Sequence, residues 1–332
     1  MATKGGTVLT LLDWAKRRDP NGGTADIVEL LNQNNEILRD MLWKEGNLPT
    51  GNRTTVRTGL PTPSWRLLNY GVTPSKSTTA QVTDATGILE DWSEVDKEVA
   101  DLEGNTNEFR LSEATAHLEG MNQEMAQTLF YGNSSTAPAE FNGLSMRYSS
   151  TSAANGSNVI SGGGSDTDLF SIWLIVWGAQ TVCGIFPKGT NAGIQHTDHG
   201  QKVITGTAGI GGDRMVGYQD QWVWKAGVAV RDWRYAVRIC NIDKSVLVAN
   251  SAPADLTLLM SKAIWRIPAL GMGRASFYMN RTCGEFLDIQ RQKAVKDGGG
   301  VTYENVDGQR RMSFRGIPIG ITDALVEETT VS

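Results

Sequence analysis

Proline and glycine punctuate residues 47–83 so closely that this stretch is poorly suited to the central strands of a compact sheet. The breaking residues are Pro49, Gly51, Gly59, Pro61, Pro63, Gly71 and Pro74. Between them lie short β-prone pieces such as Thr54–Arg57. Because proline cannot donate a hydrogen bond to a strand ladder, it is confined to edge strands, bulges and turns. The segment therefore predicts a long projecting β-hairpin.

The charge of this segment differs sharply from that of the segment after it. Residues 47–83 carry four basic side chains and no acidic one, which gives +4. Residues 84–124 carry twelve acidic side chains against two basic ones, which gives −10. Adjacent blocks of opposite charge are typical of surfaces that dock on complementary partners. The alternative is a pair of solvated faces that never meet, and the sequence leaves both interpretations open.

Hydrophobic periodicity predicts two amphipathic helices in the first half of the chain. The first covers residues 24–45, where Ile27, Leu30 and Leu31 begin a run at helical spacing. The second covers residues 106–131 and is closed by Gly132. At 1.5 Å per residue this second helix is about 39 Å long, which exceeds the usual length of a globular helix.

After residue 164, strand-like and helix-like segments follow one another irregularly. Residues 169–177 and 182–186 predict buried strands, residues 215–242 predict consecutive strands, and residues 253–267 predict a helix. Since strands and helices do not alternate regularly, the predicted fold class is α+β.

Composition excludes several classes of protein. Of the 332 residues, 40% are hydrophobic and 20% are charged, which excludes a disordered chain, a collagen and a coiled coil. A net charge of −5 argues against a protein whose surface is devoted to binding nucleic acid.

We expect neither a membrane span nor a secretion signal, because the most apolar run has only nine residues and the first residues lack an apolar stretch. Three widely spaced cysteines predict reduced core thiols.

One cluster of histidine and aspartate is a candidate for catalysis. His196, Asp198 and His199 lie between two glycines, as surface loops do, and a metal-dependent hydrolase would use them. A metal site would need a further convergent ligand at a defined spacing, and the sequence identifies none. The phosphate-binding motif GxxxxGK[ST] is also absent. We therefore predict no enzyme, no cofactor and no metal.

Several segments resemble the major capsid proteins of short-tailed bacteriophages, and in particular those of Bordetella-type phages. The segments that carry this resemblance are Leu48–Arg57, Ser171–Gly178, Gly184–Gly189, Phe277–Thr282 and Phe314–Leu325. Together these segments touch most of the chain after residue 24, and their order and spacing make the resemblance specific.

The resemblance implies a Hong Kong 97-like capsid fold with five parts. These are an N-terminal arm (1–46), an extended loop (47–83), a peripheral domain with a long spine helix (84–164, spine helix 106–131), an axial domain (165–270) and a return to the peripheral and central sheets (271–332). It also implies self-assembly into the icosahedral head that encloses the phage DNA.

The implied partners are identical subunits in hexamers and pentamers, a portal, and packaged DNA held without sequence specificity. A separate scaffolding protein is implied because a long N-terminal extension of the built-in scaffold type is missing, and a decoration protein is a further candidate. The chain would be a virion protein assembled in the cytoplasm of the host bacterium.

Large aromatic and charged residues on the projecting segments are the candidate contacts between subunits. They are Trp43, Arg53, Arg57, Trp65, Arg66, Lys76, Glu90, Asp91, Glu94, Asp96 and Glu98. Three other functions stay open at this point: a tail or portal component of the virion, the hydrolase described above, and a nucleic-acid-binding protein that uses the basic loop.

Overall fold

A computed structural model describes residues 33–102, 106–205, 214–249, 254–294, 301–306 and 309–332. The helices are α1 (Glu36–Asp40), α2 (Lys97–Ala100), α3 (Thr106–Tyr131), α4 (Leu144–Arg147), α5 (Lys244–Ala249), α6 (Leu256–Arg266) and α7 (Arg281–Ala294). The strands are β1 (Trp43–Glu45), β2 (Gly51–Gly59), β3 (Thr78–Ala85), β4 (Gly87–Asp96), β5 (Val159–Ser161), β6 (Leu169–Trp177), β7 (Val182–Phe186), β8 (Ile194–Thr205), β9 (Arg214–Val230), β10 (Ala236–Asp243), β11 (Arg274–Met279), β12 (Val301–Val306), β13 (Gln309–Phe314) and β14 (Ile317–Ile321).

The chain divides into two compact units, each assembled from segments that are distant in sequence. The first contains Met1–Asn34, Ile88–Ala126 and Gly193–Lys225, and the second contains Asn35–Gly87, Gln127–Ala192 and Ala226–Ser332. The mixture of helices and mixed-direction sheets confirms the α+β class. The assignment of the predicted ranges to peripheral and axial domains stays a prediction.

The first unit is built around a pair of long antiparallel strands. β8 pairs with β9, apart from a bulge at His199 that shifts the register by one residue. β4 lies beside β9, and the backbones approach so closely at Gly217 that a Cβ there would be 2.6 Å from the Val95 carbonyl oxygen. A small core of Val95, Ala100 and Phe109 joins β4 and α2 to α3.

The second unit is organised around strand β6. This strand pairs antiparallel with β10 on one side and with β11 on the other. β5 lies beyond β10, while β14, β13 and β12 continue the sheet beyond β11. Every residue of β6 is buried, which explains why its sequence is one continuous apolar run.

Helices α6 and α7 supply the apolar side chains that cover one face of this sheet. The Asp255 side chain caps α6 by accepting a 2.9 Å hydrogen bond from the backbone N–H of Leu258. The resulting core includes Leu174, Ile239 and Phe277 from the strands and Leu256, Met260 and Leu287 from the helices. Within the described residues, none of the helices has both the length and the apolar character that a membrane crossing requires.

The helix predicted over residues 24–45 is wrong for the described part of that range. Only Glu36–Asp40 is helical there, and Trp43–Glu45 forms β1, which pairs in parallel with β7. Pairing with a strand that follows much later in the chain has overridden the local helical pattern. Residues 24–32 lie outside the described residues. The helix predicted over residues 106–131, by contrast, is confirmed with the same bounds.

The three cysteines are free thiols in the core, as predicted. Cys183, Cys240 and Cys283 are all completely buried. Burial raises the pKa of each thiol, and for Cys283 it raises the pKa to about 12.

We therefore expect the native protein to be inert toward thiol reagents at neutral pH. The thiolate is the reactive form, and burial suppresses both its formation and its accessibility. Titration with a chromogenic disulfide reagent is expected to detect three thiols per chain in denaturant and fewer than one in the native state. Rapid reaction of any native thiol would contradict this burial.

Candidate assembly surfaces

The extended loop (residues 47–83) is an antiparallel hairpin of β2 and β3. Arg53 lies opposite Thr83, and Arg57 lies opposite Thr79. Asn47 holds the start of β2, because its side chain donates to the Arg53 carbonyl oxygen and accepts from the Arg53 N–H, each at 2.7 Å. Regular pairing between β2 and β3 thus determines the positions of the side chains along the loop.

Buried polar side chains anchor the base of the loop. Asp84 is 2% exposed, and its carboxylate lies 2.7 Å from Arg147 Nη1. Arg231 donates to the Asn52 side chain at 3.4 Å. Burial raises the pKa of Asp84, and the opposing effect of Arg147 is smaller. Gly51 completes the base at φ +155°, where a Cβ would be 2.0 Å from the Asp84 carbonyl oxygen.

The loop tip, residues 60–77, presents large apolar side chains to solvent. Trp65 is fully exposed, Leu68 is 86% exposed and Tyr70 is 70% exposed. Monomeric proteins rarely expose a group of such side chains, and exposed apolar patches of this kind mark interaction sites. Because the loop projects these side chains from an anchored base, the tip is suited to insertion against another molecule.

The structure leaves the four basic residues of the loop accessible. Arg53 and Arg57 are exposed on β2, and Arg66 and Lys76 are exposed in the loop tip. Among the described residues, no acidic side chain lies within 47–83, so the positive charge of the loop is not neutralised by the loop itself. Trp43 differs from these residues, since it is half-buried in β1 and packs on Gly184 of β7.

The predicted acidic contacts follow one another along β4 and α2, and this segment is here called the acidic strip. Its members are Glu90, Asp91, Glu94, Asp96 and Glu98.

Hydrogen bonds within the first unit hold much of the acidic strip in place. Glu90 accepts from the Gln221 side chain at 2.6 Å, and Glu94 accepts from the Gln219 side chain at 2.9 Å. Asp96 caps α2 by accepting from a backbone N–H at 2.9 Å. These bonds orient the carboxylates without cancelling their negative charge.

Sequence reasoning missed a stack of histidine and tryptophan rings in the first unit. The ring of Trp222 stacks with that of His117 in α3 and with that of His196 in β8, at centroid distances of 5.2 and 5.3 Å. Asp91 lies 2.6 Å from His117 Nδ1, and Asp220 lies 2.9 Å from His196 Nε2. No local pattern could have linked the three stacked rings and their two aspartates, because these residues come from four separate elements.

The same geometry gives the hydrolase interpretation no support. Asp198 lies 2.8 Å from Arg110, which holds the pKa of this aspartate below its usual range. His199 contacts the Gln221 side chain at 2.9 Å, whereas His196 faces Asp220. Within the described ranges, no three histidine, cysteine or acidic side chains converge as metal ligands do. Arg110 also lies 2.9 Å from Asp220, so Asp198 and His196 belong to one ion-pair network centred on Arg110 and Asp220 and do not form a set of metal ligands.

Comparison with known proteins identifies the family. Residues 19–332 match the family described as major capsid protein GP7. The chain belongs to this family. As a phage major capsid protein, it is a structural component whose copies form the icosahedral shell of the virion. This confirms the function predicted from the resemblance and replaces the tail, portal, hydrolase and nucleic-acid-binding alternatives.

Solved structures agree with this assignment. The capsid protein is 33% identical to a chain in the structure of bacteriophage epsilon15, with coverage of 100% of this chain and 99% of that chain and a TM-score of 0.79. This match confirms the Hong Kong 97-like capsid fold.

More distant similarities also appear among the solved structures. The encapsulin complex of Synechococcus elongatus is 12% identical (71% and 97% covered, TM-score 0.43), and the capsid of a native GTA particle is 9% identical (67% and 94% covered, TM-score 0.42). Comparison with curated protein sequences gives no match. The narrower resemblance of this capsid protein to short-tailed, Bordetella-type phages stays a prediction.

Proposed function

We propose that the extended loop is the element by which one capsid subunit holds its neighbour. The exposed apolar side chains of the loop tip support this proposal most directly. A fully exposed tryptophan or leucine gains about 1.5–3 kcal/mol when a partner buries it. In a shell of identical copies every subunit has a neighbour that can cover the tip, so this gain is repeated at each contact.

The charge of the loop supports an acidic docking surface on the neighbouring copy. The basic edge of β2 presents Arg53 and Arg57, and the acidic strip is the complementary surface that the chain itself offers. Attraction between such surfaces steers encounter and fixes register, and salt weakens it when the charges are exposed. In this proposal, burial of the apolar loop tip supplies the affinity of the contact between subunits. The charged edge of β2 determines how the two subunits align.

The other proposed partners follow from the role of the protein as a subunit of the capsid shell. We propose that the copies form hexamers and pentamers, and that assembly occurs in the host bacterial cytoplasm around a separate scaffolding protein. A portal, a decoration protein and non-specifically held DNA complete the proposed particle. The exposed acidic residues of the subunit agree with weak DNA contact, because tight binding requires basic side chains on the phosphates.

Reversal of the charge on the loop edge tests this proposal. We expect Arg53→Glu with Arg57→Glu to lower the yield of shells about tenfold or more at physiological salt, because like charges would then face each other across the contact. The subunit should stay folded, since both side chains are exposed. Shells are counted by sedimentation and negative-stain microscopy after expression with the scaffold.

Arg53→Gln with Arg57→Gln is the matched control for this variant. Glutamine has nearly the size and shape of glutamate but no charge, so the two variants differ only in the negative charge, and we expect a shell yield between those of the wild type and the reversed variant. Higher salt screens the charges, so the shell yields of the wild type and the two variants should become more similar as the salt concentration rises. If the reversed variant assembles as well as the wild type, the proposal that the loop docks on an acidic surface is wrong.

A further inference from the structure

Strand β4 presents different side chains to the two faces of the sheet in the first unit. Asp91 points toward α3, because its carboxylate lies 2.6 Å from His117 Nδ1. Successive side chains of a strand point to opposite faces, so Glu90, Trp92 and Glu94 lie on the face away from α3. These three residues are here called the outer triplet.

The outer triplet is held in place but stays open to solvent. Trp92 donates its indole N–H to Glu90 at 2.7 Å, and the ring of His199 stacks on the indole at a centroid distance of 5.3 Å. Gln221 and Gln219 of β9 hold the two glutamates, as described above. Trp92 is nevertheless 41% exposed, and Glu90 is exposed beside it. A partly exposed indole between two carboxylates suits a guanidinium group, which stacks on tryptophan and pairs with carboxylates.

The basic edge of β2 is also a triplet of alternate residues. Arg53, Thr55 and Arg57 are exposed, whereas Thr54 and Val56 between them are half-buried. The three exposed residues therefore share one face of the strand, and they are here called the basic triplet. The residues of β3 that lie opposite them carry no charge, so the positive charge of this face comes from the two arginines.

The two triplets match each other in spacing as well as in charge. In each triplet the charged residues are four positions apart, which corresponds to about 13 Å along a strand at about 3.3 Å per residue. Both arginines can therefore meet both glutamates at once, with Thr55 against Trp92. This match holds whether the two strands run in the same direction or in opposite directions.

We propose that the basic triplet of one copy docks on the outer triplet of a neighbouring copy, with each arginine paired to a glutamate. This inference rests on the proposed function of the extended loop and narrows the acidic strip to Glu90 and Glu94. Asp91 faces α3, and Asp96 caps α2, so neither shares this geometry. Trp92 makes the site selective for arginine over lysine, because a guanidinium group stacks on an indole while it pairs with a carboxylate.

Exchange of the charges between the two triplets tests the pairing. In the background of Arg53→Glu with Arg57→Glu, we expect the addition of Glu90→Arg and Glu94→Arg in the same chain to restore the yield of shells to within about threefold of the wild type, because opposite charges then face each other again. Sedimentation and negative-stain microscopy measure the yield. Thermal unfolding of the unassembled subunit checks the fold of each variant.

Glu98→Arg with Glu124→Arg, added to the same reversed loop, is the matched control. Both glutamates are exposed and lie outside the outer triplet, so the net charge changes equally and the yield should stay low. Normal assembly of the reversed loop alone would contradict the proposed function itself. Poor assembly of the reversed loop that the outer triplet does not rescue, or that the control pair rescues equally, would overturn only the docking on the outer triplet.

Chemical cross-linking between chains tests the contact without any change of charge. Thr55→Cys with Trp92→Cys places thiols at the centres of the two triplets, and we expect a short bifunctional maleimide to join neighbouring chains in assembled shells. The native cysteines are buried and do not compete. Thr55→Cys with Thr115→Cys, which places the second thiol on the exposed side of α3, is the control and should give no such product. Shells without the cross-link, or equal cross-linking in the control, would overturn the proposal.

Discussion

Polar replacement of the apolar side chains in the loop tip is expected to abolish shell formation while the subunit stays folded. The triple variant Trp65→Ser, Leu68→Ser, Tyr70→Ser changes side chains that are at least 70% exposed in the subunit. Substitutions at such positions usually change the free energy of unfolding by less than about 0.5 kcal/mol. The same side chains carry the contact in our proposal, and aromatic anchors typically contribute about 2 kcal/mol or more each to an interface.

Loss of three anchors at every contact should lower the yield of shells by more than about a hundredfold, because about 1.4 kcal/mol already corresponds to a factor of ten. The yield is measured by sedimentation after expression with the scaffold, and the fold is checked by thermal unfolding of the unassembled subunit. The effect should exceed that of charge reversal on the loop edge, since exposed charges are screened by salt and apolar burial is not.

A second triple variant in the same loop tip serves as the matched control. Ser64→Ala, Thr73→Ala and Ser77→Ala change exposed polar residues and leave the apolar side chains intact. We expect this protein to assemble normally. Normal assembly of the serine variant as well would exclude the loop tip as an anchor, whereas loss of folding in the serine variant would show that the tip packs on its own subunit.

Local features of the sequence were sufficient to predict the loop and α3. The prolines and glycines of residues 47–83 exclude a compact sheet by their backbone chemistry alone, and β2 and β3 form the hairpin that this chemistry allows. Likewise, the apolar stripe of residues 106–131 depends only on spacing within the helix, so the bounds of α3 were predictable. Both predictions required no knowledge of the rest of the chain.

Features that depend on distant residues could not be predicted in this way. The spacing of apolar residues predicts a helix that includes Trp43–Glu45, but these residues form a strand that pairs with β7. Local spacing gives no information about such a distant pairing partner. The stack of His117, Trp222 and His196 combines a helix with two strands. The sequence showed each of these residues separately, but only the fold brings the two histidine rings to centroid distances of 5.2 and 5.3 Å from Trp222.

Arg238 is another example, because a charged residue within a predicted strand is ordinarily assigned to the solvent face. In the structure Arg238 is 4% exposed, and its Nη2 lies 2.6 Å from Glu328 near the C-terminus. Its other nitrogens donate to the Tyr148 carbonyl oxygen at 2.8 Å and to Ser171 at 3.3 Å. The guanidinium also lies over the ring of Trp173, 5.4 Å from its centroid. The pair thus ties the last residues of the chain to β6 and β10.

Breaking this buried pair is expected to cost about 3–5 kcal/mol of unfolding free energy, because the remaining charge is left buried without its partner. We expect that loss in Arg238→Met and a similar loss in Glu328→Gln, measured by denaturant unfolding of the unassembled subunit. The double variant should recover part of the loss, since neither charge is then buried alone.

The neighbouring pair of Lys244 and Glu327 offers a matched control on the surface of the same unit. Its side chains are 39% and 46% exposed, so Lys244→Met should cost less than about 1 kcal/mol. A cost for Arg238→Met no larger than that for Lys244→Met would contradict the buried pair. The expected difference also bears on assembly, because a loss of about 3–5 kcal/mol is a large share of the stability of a typical domain and would lower the fraction of folded subunits available to the shell.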